Sequence, residues 1–126
     1  LDVDAGGQHV VRLGEHHARL LLEGRGYHFV TSNWHCRAGE LDLVMLDDDE
    51  LVFVEVKTRR GERAGRADDA ITGAKAGKLL AAGEWFVSDH PEHDTRIWRV
   101  DLVAVTIDPS SGIATANHYI NAIVSG

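Results

Sequence analysis

Residues 41–58 decide the fold and have the sequence LDLVMLDDDELVFVEVKT. Two apolar runs, the second rich in β-branched residues, flank an acidic segment, and this pattern predicts two strands joined by a turn. We expect the strands over residues 41–46 and 51–58. Asp48-Asp49 is a poor two-residue hairpin turn, so we expect a four-residue loop from Asp47 to Glu50 instead.

The predicted hairpin places two carboxylates side by side. If it is centred between Asp48 and Asp49, Asp42 faces Glu55, with their Cβ atoms about 4.5–5.5 Å apart. Two like charges on a half-covered face need a raised pKa or a cation between them. Lys57 projects from the same face. A carboxylate pair beside a lysine suits an oxygen-coordinated divalent ion such as Mg²⁺, which would polarise a phosphate and lower the pKa of a bound water.

A structural interpretation of the same residues stays open. Glu40 faces Lys57 in this register, so the two can form a simple cross-strand ion pair. The opposite side of the hairpin is apolar, with Leu41 beside Leu43, and we expect it to pack on the core. Glu15 lies inside the apolar stripe of a predicted helix, where a carboxylate either satisfies a buried donor or reaches a functional centre.

The remaining periodicity predicts the element order α-β-β-β-α-β, an α/β fold with a mixed sheet flanked by helices. The first helix carries Val11, Ala18, Leu21 and Leu22 on one stripe. Thr72 is the predicted N-cap of a second helix, which interior glycines weaken. The last long apolar run is typical of a central strand covered on both faces. These elements cover residues 10–25, 27–36, 72–87 and 97–107, with one further short element in the tail.

Length and composition fit an ordinary globular protein. The 126 residues suit a single domain over residues 1–126, with residues 1–9 expected to be loosely ordered. No apolar run reaches the roughly 18 residues that a membrane span needs. The single Cys36 fits a cytoplasmic location, since it has no internal disulfide partner.

Charge is distributed unevenly along the chain. The net charge of −7 argues against a nucleic-acid partner. However, a basic stretch directly follows the second strand of the hairpin, in a predicted loop over residues 59–66. Its position beside the carboxylates favours phosphate contacts over a merely solvated loop, and Lys75 would extend the track. The basic residues of this stretch, beyond Lys57, are Arg59, Arg60, Arg63 and Arg66.

Other polar residues are given structural interpretations. Asp101 lies in the last apolar strand with Arg99 on the same side, and unpaired burial of a carboxylate is costly, so we expect the two to pair. The adjacent His35-Cys36 does not match a zinc spacing. The three tryptophans are assigned to the core.

Four motifs occur together along the chain: Gly14-Glu15, Asn33-Trp34, GELDL at residues 39–43 and VFVEVKTR at residues 52–59. In combination they resemble the YraN-like family (UPF0102), which looks like a branch of the PD-(D/E)XK nuclease superfamily near the archaeal Holliday-junction resolvases. The resemblance extends from about residue 13 to residue 120.

The resemblance implies a restriction-endonuclease-like fold and an Mg²⁺- or Mn²⁺-dependent endonuclease that acts on DNA, with branched or recombination intermediates as candidate substrates. Asp42 and Glu55 take the places of the metal-binding carboxylates, and the Val56 carbonyl that of a backbone ligand. Lys57 takes the place of the catalytic lysine, and Glu15 that of the first-helix carboxylate. Resolvase-like relatives act as symmetric dimers, so a homodimer is an option, although nothing in the sequence identifies an interface.

This chain departs from the family pattern in its second helix. That helix is strongly basic in the family but keeps only Lys75 and Lys78 here, which predicts weaker, more salt-sensitive DNA binding. The alternative hypothesis is a non-catalytic module on the same fold that binds nucleic acid or a protein partner. The acidic net charge favours this alternative, and the complete set of Glu15, Asp42, Glu55 and Lys57 opposes it.

Overall fold

A five-stranded mixed sheet with a helix against each face forms the part of the chain that the structure, a computed structural model, describes: residues 3–61 and 71–123. Along the sheet the strands follow sequence order; all neighbours are antiparallel except the third and fourth, which are parallel. The predicted α/β fold is therefore confirmed. The elements are α1 (Val3–Gly24), β1 (His28–Cys36), β2 (Gly39–Asp47), β3 (Glu50–Arg60), α2 (Gly73–Asp89), a short 3₁₀ helix (Pro91–His93), β4 (Trp98–Ile107) and β5 (Ala114–Tyr119).

The core has two halves, one on each face of the sheet. Ala18 and Leu22 of α1 pack on one face, and Leu79, Ala82 and Phe86 of α2 pack on the other. Successive side chains of a strand point to opposite faces, so β3 sends alternate residues into each half. This arrangement explains why the central strands are almost continuously apolar.

Gly83 allows α2 to approach the sheet closely. A Cβ atom at this position would lie 2.8 Å from Cε2 of Phe53 and 2.9 Å from Cζ3 of Trp98. The low helix propensity of glycine at this interior position is thus offset by the tight contact between helix and sheet.

The predicted hairpin register is confirmed, but its turn differs from the prediction. Leu46 pairs with Leu51, and Asp47 pairs with Glu50. The turn therefore consists of the two residues Asp48 and Asp49 and is not a four-residue loop. Asp48 has a φ of 51°, the left-handed conformation that lets a two-residue turn match the twist of its strands.

Several predicted positions are wrong in detail. Val11 is 50% exposed although it was predicted to lie on the buried stripe, and Trp85 is 45% exposed although it was assigned to the core. Leu41 packs with the α2 half of the core, on the other face from Leu43. Arg59 and Arg60 belong to the end of β3 and not to a loop.

The chain ends also differ from the predicted bounds. Helix α1 begins at Val3, earlier than the predicted residue 10. Residues 3–9 of the segment predicted to be loosely ordered lie in this helix, and residues 1–2 lie outside the described residues. The loose order itself stays a prediction. The short tail element is β5, which pairs with β4. Among the helices of the described ranges, none combines the length and apolar character needed to cross a membrane.

Candidate functional site

The candidate site lies where β2 and β3 separate. Their ladder ends at the pair Leu43 and Val54; beyond it, β2 continues along β1 while β3 continues along β4. In the gap, the side chain of Asp42 replaces the missing backbone partner, and the Val56 N–H donates to its Oδ2 at 2.9 Å. The N–H and C=O of a strand residue project to the same edge, so the Val56 carbonyl also faces the gap.

Asp42 and Glu55 are in direct contact in this gap. The residue Glu55 is only 7% exposed. Burial, together with the neighbouring Glu55 charge, raises the pKa of Asp42 to about 8, and a hydrogen bond between the two carboxyl groups acts in the same direction. The Val56 N–H opposes this shift by stabilising the carboxylate. At neutral pH the pair therefore retains a proton in the absence of a cation.

Lys75, in the first turn of α2, also reaches the site. Its Nζ lies 3.1 Å from Oε2 of Glu55, and its side chain is 48% exposed whereas that of Glu55 is 9% exposed. The sequence predicted Lys75 as an outlying phosphate contact. The structure instead brings it against the buried carboxylate.

Glu15 approaches the pair from α1. Its neighbour Gly14 permits a close approach to β3, because a Cβ there would lie 2.8 Å from Cβ of Thr58. Burial raises the pKa of Glu15, and the charges of Glu40 and Glu55 act in the same direction. Glu15 thus belongs to the same electrostatic group as the Asp42–Glu55 pair.

Asn33 is a site residue whose role sequence reasoning missed. It has a φ of 52° within β1, a conformation that asparagine tolerates better than most residues. Its side chain hydrogen-bonds Glu15, which partly opposes the effect of burial on the pKa of that carboxyl group. The only signal in the sequence was the Asn33-Trp34 motif, which carried the family resemblance but no assigned function.

The basic residues are divided among several positions. Lys57 is half-buried two residues beyond Glu55 on β3, and Arg59 follows it. Arg60 is exposed at the strand end, and Lys78 is exposed on α2. The predicted phosphate contacts Arg63 and Arg66 lie outside the described residues.

The donors of the gap fit a hard divalent cation that keeps part of its water shell. Within residues 9–61 and 71–123, no three His, Cys, Asp or Glu side chains form a ready metal-ligand group. Mg²⁺ commonly takes one or two carboxylates and completes its shell with waters and substrate phosphates. Asp42, Glu55 and the Val56 carbonyl match such a donor set, and Glu15 acts on them through its charge.

We expect the free energy of unfolding of the metal-free protein to fall as pH rises from about 4 to about 8. The pKa of Asp42 rises from the ordinary aspartate value of 3.8 to about 8 in the folded protein. The folded state therefore binds more protons within this window, and raising the pH removes stability, by on the order of a few kcal/mol in total. Urea unfolding across the window measures the change.

Asp42→Asn should remove this pH dependence because the amide does not titrate. Asp49→Asn is the matched control, since the Asp49 side chain is fully exposed in the hairpin turn. It should retain the wild-type profile. If wild type and Asp42→Asn have parallel profiles, the strained carboxylate pair does not exist.

Comparison with known proteins identifies the family. The model of "Uncharacterised protein family UPF0102" matches residues 14–105, which include Glu15, Asp42, Glu55, Lys57 and Lys75. A UPF0102 protein of Roseiflexus castenholzii is 43% identical over 94 residues, which cover 75% of this chain and 76% of that protein. One of Frankia casuarinae is 40% identical over 107 residues, which cover 85% of this chain and 89% of that protein. One of Ectopseudomonas mendocina is 42% identical over 97 residues, which cover 77% of this chain and 82% of that protein. The chain belongs to the UPF0102 family, as its motifs predicted.

Proposed function

We propose that this protein is an Mg²⁺- or Mn²⁺-dependent endonuclease that hydrolyses phosphodiester bonds in DNA. The observation that carries the proposal is the buried contact between Asp42 and Glu55 at the opening of the hairpin. Two carboxylates in contact repel each other unless a proton or a cation lies between them. A divalent ion relieves this repulsion and gives the arrangement a chemical use.

The residues of the gap have separate roles in this proposal. Asp42, Glu55 and the Val56 carbonyl would hold the ion, which when bound supplies a polarised phosphate and a water of lowered pKa. Lys57 projects to the same face of β3 as Glu55, and its ammonium would stabilise the attacking hydroxide or the negative charge that develops on the phosphate. Glu15 would complete the outer shell or position a second ion, with Asn33 holding it in place.

Basic residues near the gap support nucleic acid as the substrate. Arg59 and Arg60 continue β3 beyond Lys57, and Lys75 and Lys78 lie on the start of α2. They would contact phosphates, as would Arg63 and Arg66. Because the chain carries a net charge of −7, we expect binding to depend on this local positive charge and to weaken steeply with salt. From the sequence, we also propose branched or recombination intermediates as substrates, a homodimer as the oligomeric state and the cytoplasm as the location.

A non-catalytic module that binds nucleic acid or a protein partner is the second candidate. The ion pair between Lys75 and Glu55 favours it, because this pair already neutralises one of the two carboxylates. In such a protein the pair would be a permanent part of the fold.

Calorimetric titration with Mn²⁺ tests the metal site directly. Wild type should bind Mn²⁺. Glu55→Gln should weaken binding at least about tenfold, because it replaces a negatively charged carboxylate ligand by a neutral amide. Glu92→Gln, at an exposed position of the 3₁₀ helix, is the matched control and should bind like wild type. If Mn²⁺ does not bind, or binds Glu55→Gln equally well, the proposal fails.

A cleavage panel then separates the two candidates. Duplex, single-stranded, flap and four-way-junction DNA would be incubated with the Mn²⁺-loaded protein. Cleavage of any one substrate that disappears in Glu55→Gln supports the nuclease. Mn²⁺ binding with no cleavage of any of these substrates favours the non-catalytic module.

A further inference from the structure

Lys75 and Glu55 form an ion pair whose two side chains differ strongly in exposure. Glu55 lies in a central strand of the sheet and its side chain is almost fully buried, whereas about half of the Lys75 side chain is in solvent. Lys75 lies in the first turn of α2, so its long stem reaches the gap from outside. The ammonium can therefore move away into solvent by rotation of its own side chain, whereas Glu55 would have to leave its buried position to follow it.

The ammonium contacts one of the two carboxylate oxygens that Glu55 could offer to a metal ion. Its Nζ lies 3.1 Å from Oε2 of Glu55. A divalent ion that used this oxygen would bring two positive centres to one carboxylate, and their repulsion would favour departure of the more mobile one. Lys75 has a flexible stem and is already partly solvated, so it is the group that would move.

We propose that Lys75 is an exchangeable counter-ion, which neutralises Glu55 in the metal-free protein and moves to a phosphate oxygen of the nucleic acid when a divalent ion binds. This inference rests on the proposed metal-dependent function and adds a second lysine to the site. The ammonium stays tethered at the start of α2, within a side chain's length of Glu55. A phosphate held by a metal at Glu55 would lie within the same reach.

A half-exposed ion pair contributes little to stability. A purely structural role of Lys75 and an exchangeable one therefore predict different changes in metal affinity when Lys75 is removed. If Lys75 only fastened α2 to β3, its removal would loosen the site and weaken metal binding or leave it unchanged. If Lys75 competes with the metal, its removal strengthens metal binding. The two roles therefore predict opposite signs.

Mn²⁺ calorimetry without DNA measures that sign. We expect Lys75→Gln to bind Mn²⁺ about three- to tenfold more tightly than wild type, in line with the loss of one half-exposed ion pair. Lys75→Arg keeps the cation and should not show this gain. Lys78→Gln, on the same helix, is the control for a general loss of positive charge and should bind Mn²⁺ like wild type.

Two further measurements test where the ammonium goes when the metal binds. The side-chain NMR signal of Lys75 should shift on titration with Mg²⁺ as its ion pair breaks, while that of Lys78 should not. At saturating Mn²⁺, Lys75→Gln should cleave DNA at least about tenfold more slowly despite its tighter metal binding, since it lacks one phosphate contact.

The failures of the two proposals are distinguishable. Wild-type Mn²⁺ binding with equal or weaker binding by Lys75→Gln overturns the exchange of Lys75 and leaves the metal site intact. An Mg²⁺ titration that saturates the site without moving the Lys75 signal does the same. Absence of Mn²⁺ binding by wild type and Lys75→Gln overturns both proposals.

Discussion

Replacing Lys57 by Ala is expected to lower the rate of DNA cleavage at saturating metal by about 10²–10³-fold. Lys57 lies half-buried on β3, on the same face as Glu55 and two residues further along. It is a cation and cannot ligate the metal, so its contribution is confined to the charge that develops during attack on phosphorus. We therefore expect the affinity for Mn²⁺ to stay within about twofold of wild type.

Single-turnover cleavage of a DNA substrate that wild type cuts, measured beside Mn²⁺ calorimetry, checks this separation. Lys57→Arg keeps the positive charge but replaces the compact ammonium by a larger planar guanidinium, so it should recover only part of the rate. Arg96→Ala is the control for loss of a cation elsewhere, because Arg96 pairs with Asp49 at the turn end of the hairpin. A Lys57→Ala enzyme that keeps its rate, or that loses Mn²⁺ affinity as Glu55→Gln does, would refute the assigned role.

The hairpin register could be predicted because the pattern of residues allows few alternatives. A slip of one residue would turn the apolar side chains of both strands to the wrong faces. The observed pairs Leu43–Val54 and Leu46–Leu51 confirm this reasoning. The end of the ladder could not be predicted, because alternation continues through Asp42 while the hydrogen bonds to β3 do not. Asp42 therefore binds the Val56 N–H, where a simple ladder would pair its backbone with that of Glu55.

The errors in the core have a similar origin. Helical periodicity locates a stripe only to within a neighbouring position, since adjacent residues differ by about 100° around the axis. Val10 packs against the core and Val11 is half exposed, so the buried stripe is displaced by one residue at this end. Leu41 joins the α2 half of the core at the point where the β2–β3 ladder has ended.

The contact between Lys75 and Glu55 could not be predicted from spacing. The two residues belong to different elements, separated by a segment that is neither clearly helical nor clearly extended in its sequence pattern. Charge alone suggested a phosphate contact for Lys75, and the structure adds a carboxylate partner. Asn33 shows the same limit, because its left-handed backbone and its bond to Glu15 depend on the packing of β1 beside α1.

The predicted pairing of Asp101 with Arg99 is confirmed, and it is part of a larger buried network. Oδ1 of Asp101 accepts from Nε of Arg99 at 2.9 Å and from the Asn121 N–H at 2.9 Å. Oδ2 lies 2.8 Å from Nε2 of His118. Arg25 donates to Nδ1 of His118 at 2.8 Å, so Nε2 carries the ring proton and donates a hydrogen bond to Asp101. Burial alone would raise the pKa of Asp101, but these hydrogen bonds outweigh it and lower the pKa.

Asp101→Asn is therefore expected to destabilise the protein by about 3–5 kcal/mol. It removes the buried charge that accepts from Arg99, His118 and the Asn121 N–H, and it turns an NH₂ group toward these donors. Urea unfolding at neutral pH measures the loss. Asp94→Asn, at an exposed position, should change stability by less than about 0.5 kcal/mol. A loss below about 1 kcal/mol for Asp101→Asn would mean that water or a rearranged Arg99 replaces the carboxylate.

The same variant separates stability from function. Asp101 contacts Arg99 and His118 on the α1 face of the sheet, with Tyr27 of the α1 half of the core within reach of its carboxylate. Glu55 contacts Lys75 on the α2 face. The network and the carboxylate pair therefore share the sheet but no side chain. We expect Asp101→Asn, under conditions where it remains folded, to bind Mn²⁺ with wild-type affinity; weaker binding would mean that the network also controls how far β2 and β3 separate at the site.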